Sequence, residues 1–315
     1  MKKYLGVTLV VIISILLYFY MNPNPQKVIE NHLKNKYKEE FIVEVLGKRE
    51  ETYEAIIFPK KYVGTPREND SYYWGKGFAK GRKGGDTYGL VLLNESTNEF
   101  FLPKLKELFG ENVLPVLDMG PSYVKNNFKE EMEALKKAYK LYPTASFEPI
   151  SGGIYIFGRV ESDEDREWYR KQIYEFVQFM KETGTFEYVS LGIIVIDDRV
   201  LSKEFQENEE LKTKLVENGE KYWEKDRRYY SEVIRRELMN KKLPQKITPI
   251  ISLEDINKSS MTNSLAWSNY NILLSLGLYS SKYVESMGWN RDSRPEVYTE
   301  LKNYNALSDI KFEDE

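Results

Sequence analysis

Three aspartates close runs of strand-forming residues: Asp118 ends VLPVLD, and Asp197 with Asp198 ends GIIVIDD. The carboxyl ends of strands are where an open α/β sheet presents ligand-contacting groups, so these are the candidate catalytic residues. Two carboxylates about 5 to 10 Å apart can act as acid and base on a glycoside, and such groups can also hold Mg²⁺ through oxygen. The competing reading is local: Asp forms turns, and Asp118-Met119-Gly120-Pro121 and Asp197-Asp198-Arg199 both look like strand exits. Asn94-Glu95-Ser96 resembles a helix cap in the same way, and there is no Gly-x-Ser-x-Gly elbow.

A second concentration of chemistry is GKGFAKGRKGGDTYG, from Gly75 to Gly89, in which Lys76, Lys80, Arg82 and Lys83 face one acid, Asp86. It is not a Walker loop, because no Gly-Lys is followed by Ser or Thr, and its third glycine comes one residue late for Gly-x-Gly-x-x-Gly. A phosphate cradle also needs a helix behind it, whereas YGLVLL from Tyr88 reads as strand. The stretch is expected to be a loop or bulged hairpin held by glycines at positive φ. Its four cations are candidate ligand-binding residues for an anionic wall polymer, lipid headgroups or another surface protein.

Other chemistries are excluded by what is missing. The chain has no cysteine, so disulfides, thiol catalysis, iron-sulfur clusters and thiolate zinc sites cannot form. With one histidine, His32, no site with two His ligands can be built within the chain, and any Ser-His-Asp triad would have to use it. His32 sits at the edge of an apolar stripe in QKVIENHLKNKYKEE, an ordinary amphipathic-helix position. Acids outnumber bases 49 to 46, which argues against nucleic acid as a whole-surface partner. No cofactor and no metal site is indicated, and the balance points to a binding module rather than an enzyme.

The elements that must position these residues form an α+β chain. The helix around His32 leads into two β-rich runs, FIVEVLG and TYEAIIFPK, read as a hairpin. YGLVLL, FFLPKLKELFG and VLPVLD read as strand, helix and strand. Phe128, Met132, Leu135 and Tyr139 mark an amphipathic helix. GIYIFGRV is a strand, and Ser162 with Asp163, Glu164 and Asp165 opens a helix whose apolar face is Tyr169, Ile173, Phe176, Val177 and Met180. YVSLGIIVIDD is the strand after it. Residues 203–238 read as charge-laced helix, and NILLSLGLY as the start of a buried helix running to Gly288.

Tyr4 to Met21 is predominantly apolar and uncharged, about 27 Å long as a helix, and lacks a small-x-small cleavage site. The expectation is an uncleaved, single-pass anchor with a cytoplasmic N-terminus and the body outside. The divisions read from the sequence are an anchor (1–21), a linker (22–26), an N-terminal α+β region (27–120), a helix plus βαβ region (121–200) and a mainly helical C-terminal region (201–315).

The lysine-rich ENHLKNKYKEEFIVEV, together with YIFGRVESDEDREWYRKQIYEFVQFM and LGIIVIDD, resembles a family of uncharacterised Firmicutes surface lipoproteins, best represented in staphylococci. The similarity covers the middle two-thirds of the chain and departs at the N-terminus, where those proteins carry a lipobox cysteine. It implies a location at the cell exterior and no activity. The resulting expectation is a membrane-anchored surface binding module, with a wall-polymer hydrolase using Asp118 and Asp197 or Asp198 as the alternative.

Overall fold

Helix α1 (Pro25–Tyr37) starts inside the Pro-rich stretch read as a linker. Asn24 accepts a hydrogen bond from the Lys27 N–H, and Pro25 occupies the first turn, where its missing N–H costs nothing. The computed structural model describes residues 23–120, 126–141, 150–201, 253, 256, 258–261 and 272–288. The chain divides into two units, Met1–Leu92 and Leu93–Glu315.

In the first unit, β1 (Phe41–Arg49), β2 (Thr52–Pro59), β3 (Gly75–Lys80) and β4 (Lys83–Asp86) form one antiparallel sheet in chain order. Ile29 and Leu33 of α1 are fully buried in a core with Ala55, Ile57, Ala79 and Tyr88. Ile29, Leu33 and Ile57, fully buried, each contribute about 1.5–3 kcal/mol. The glycines of the hairpin let α1 approach this closely. A Cβ at Gly77 would lie 2.7 Å from Ile29 Cγ2, and one at Gly84 would lie 2.5 Å from His32 Cβ. Gly81, at φ +57°, makes the turn.

The second unit holds a mixed sheet in the order β5 (Val113–Met119), β6 (Ile150–Gly158), β7 (Val189–Asp197), β8 (Ile272–Tyr279). β6 and β7 are parallel and joined across helix α4 (Asp163–Glu182); the outer pairs are antiparallel. The α4 N-terminus is a capping box, with Ser162 and Asp165 each accepting from the other's backbone N–H. Phe101 and Leu105 of α2 (Tyr88–Phe109), Met132 and Leu135 of α3 (Phe128–Leu141), and Ile173, Phe176, Val177 and Met180 of α4 share a core with Leu117, Ile154, Leu191, Ile193, Val195, Leu276 and Leu278.

Side chains of α2 also close the edge of β5. Asn98 accepts from the Leu117 N–H and donates to its carbonyl, and Asn94 accepts from the Met119 N–H. Pro115, lacking an N–H, sits in this edge strand, where such a residue is tolerated.

Several expectations need correction. YGLVLL is not a strand: it is the first part of α2, which continues through FFLPKLKELF. Asn94 to Thr97, read as turn and cap residues, lie within the helix, with the Thr97 hydroxyl bonded to the Leu93 carbonyl. Tertiary partners outweigh the β-type composition here. NILLSLGLY is a strand, because Ile272, Leu274, Leu276 and Leu278 alternate inward beside β7; a helix starts only at Ser281 (Ser281–Ser286). The two units part within α2.

The expected fold, an α+β body behind a transmembrane helix, is corrected to α+β alone. Among the described residues no helix is long and apolar enough to cross a membrane. Residues 4–21 and the helix expected over 203–238 lie outside the described residues.

Candidate functional site

The glycine-rich stretch is the β3–β4 hairpin, and its cations divide by position. Lys80, Arg82 and Lys83 lie at its turn, while exposed Lys76 stands four residues back along β3, opposite Ile56. That is about 13 Å at about 3.3 Å per residue. The β1–β2 turn ends at the same edge of the sheet, because Tyr53 pairs with Ala79 and Lys80 reaches Glu51 at 2.9 Å. Two cations not singled out by sequence, Lys48 and Arg49, therefore join the group. Five basic residues from two turns meet Glu50 and Glu51 there. Among the described residues, Lys48, Arg49 and Lys83 form no ion pair.

The other end of the hairpin, its base, is anchored by Asp86, whose side chain is completely enclosed. Its carboxylate accepts from Tyr37 Oη at 2.6 Å, Lys36 Nζ at 2.9 Å and the Tyr88 N–H at 3.0 Å, and it pairs with His32 Nε2 at 2.7 Å. Burial alone would raise its pKa, but the bonds from Tyr37, Lys36 and His32 outweigh that and hold it below the usual carboxylate range. Tyr37 is pushed well up by burial and by Asp86, so it stays a donor. The only histidine thus ties α1 to β4 and α2. It is not merely the edge of an apolar stripe; its partner lies 54 residues away.

The three strand-end aspartates are not brought together. Asp118 pairs in register with Ser151, whereas Asp197 pairs with Gly158, seven residues further along β6. That separation is about 23 Å, well beyond the 5 to 10 Å of a glycosidase pair. Asp197 is fully buried and held by the Arg199 guanidinium and backbone N–H. Asp198 pairs with Arg159 at 2.7 Å.

Asp118 differs from both. It has no cationic partner among the described residues and accepts only from Asn94 Nδ2, at 2.6 Å. Burial pushes its carboxyl above the ordinary value, with Asn94 opposing. Among the described residues no group of three or more acidic or His side chains could hold a metal ion. No protein family model, no curated protein and no solved structure matches the chain.

Proposed function

We propose that the protein is a non-catalytic binding module that holds an anionic polymer against the basic end of its first sheet. The observation that carries this is the convergence of Lys48, Arg49, Lys80, Arg82 and Lys83 from two adjacent turns. The hairpin that carries three of them is tied to α1 at its other end through Asp86. The cations are exposed point charges without a shaped pocket, so recognition is of charge density and is screened over about 10 Å at 0.1 M salt. The resemblance to surface lipoproteins supports a cell-exterior setting, where phosphate-bearing wall polymers would be the anion. The carboxylate separation favours binding over hydrolysis.

The test is titration with long-chain polyphosphate at low and physiological ionic strength. Changing all five residues to Ala is expected to abolish binding while altering stability by no more than about 0.5 kcal/mol per site. A folded quintuple variant that binds polyphosphate as before would refute the proposal.

A further inference from the structure

Side chains along each strand of the first sheet alternate between two faces. On the face toward α1, Phe41, Val43, Ala55, Ile57, Gly77 and Ala79 are all buried. On the other face no residue of the four strands is buried. The pairing arranges that second face in rows. Ile42 pairs with Phe58, on which Trp74 stacks at 6.0 Å. Glu44 pairs with Ile56 and Ile56 with Lys76, then Glu54 with Phe78 and Phe78 with Gly85. One step nearer the turns, on the same face, come Arg49 and the paired Lys80 and Lys83.

Ile42, Ile56, Phe58, Trp74 and Phe78 are each half-exposed, while Arg49, Lys76, Lys80 and Lys83 are exposed. Gly85 leaves one flank of Phe78 without a side chain: a Cβ there would lie 4.0 Å from Phe78 Cβ and Cδ2. The edge strand adds a further apolar group. Val45 pairs with Ala55 and Gly47 with Glu54, so Leu46 is the extra residue of a bulge, and it is 61 % exposed. Single exposed leucines are ordinary, but a bulge re-aims a side chain, and this one sets Leu46 close in sequence to Lys48 and Arg49.

We propose that this face docks on a lipid bilayer bearing anionic phosphate headgroups, with Arg49, Lys76, Lys80 and Lys83 at the headgroups and Leu46, Ile56 and Phe78 at the acyl boundary. Four cations against Glu44 and Glu54 give the face the sign opposite to such a surface. A soluble polyanion takes the cations and leaves the apolar rows in water, and a neutral bilayer leaves the cations unmatched; an anionic bilayer meets both. This partner presupposes the anion binding proposed for the basic end and adds the apolar part of the same face.

The test exploits the absence of cysteine: in the full chain, Leu46→Cys, Phe78→Cys and Asn31→Cys each take one environment-sensitive nitrobenzoxadiazole dye. Asn31 is exposed on α1, across the sheet. Vesicles of phosphatidylcholine alone, or mixed equally with phosphatidylglycerol, are added, and polyphosphate is titrated beside them. The dyes at 46 and 78 are expected to brighten and shift to the blue on the mixed vesicles only, and the dye at 31 to stay unchanged. Leu46→Ser should weaken binding to mixed vesicles about tenfold and leave polyphosphate affinity as it was. If Phe78→Cys fails to fold, exposed Leu46→Cys carries the test. Silent dyes at 46 and 78 with polyphosphate still bound would overturn the bilayer alone; loss of polyphosphate binding as well would overturn both readings. The bilayer is equally overturned if these dyes respond alike to both vesicles, if the dye at 31 responds with them, or if they respond to protein concentration without vesicles, which would place a second copy on the face.

Discussion

Asp86 and Asp118 are both shielded carboxyls, but their surroundings push them in opposite directions. Asp86 is held low by donors that act only in the fold, so it stabilises the protein above the ordinary carboxylate pKa, near about 3.9, and that contribution is lost as pH falls through its depressed folded value. Asp118 is raised by burial, so ionising it costs stability once pH rises above the unfolded value. Asp86→Asn is therefore expected to lower stability at neutral pH by about 1.5–3 kcal/mol, and to flatten the acid limb of a urea-unfolding series against pH. Asp118→Asn is expected to leave neutral-pH stability unchanged or higher in the same series. Destabilisation by Asp118→Asn comparable to that of Asp86→Asn would mean that Asp118 makes a further structural contact.

At the scale of elements, glycine contacts and edge hydrogen bonds set the packing. Gly84→Ala would drive a methyl into His32 on α1, and an overpacking cost of about 1–3 kcal/mol is expected by thermal unfolding. Asn98→Ala would remove the side chain that accepts from the N–H and donates to the carbonyl of buried Leu117, costing about 1–3 kcal/mol. These effects also explain which elements were legible in the sequence. Helix α4 was readable because Ser162 caps it and one face repeats Ile173, Phe176, Val177 and Met180. Helix α2 was not, because Asn94 to Thr97 look like a turn and cap until β5 is beside them. Strand β8 was misread as helix because a short apolar run carries little periodicity, and its alternation acquires meaning only beside β7. The hairpin was legible from its glycines. Lys48 and Arg49 were not part of the candidate site because only sheet pairing brings their turn alongside.

Over the whole molecule the charge is mildly acidic, so anion binding must be a local property of the basic end of the first sheet. The structure separates Lys76 from that end, and Lys76→Ala is expected to weaken polyphosphate binding less than Arg82→Ala does. The salt dependence of polyphosphate affinity tests the central claim most directly, since displaced counterions are counted by the slope of log K against log salt. The slope should be steep and negative for the parent chain and should flatten in steps as Lys48, Arg49, Lys80, Arg82 and Lys83 are changed to Ala. A slope that is flat from the start, or that survives all five changes in a folded protein, would contradict a charge-recognition module at this end.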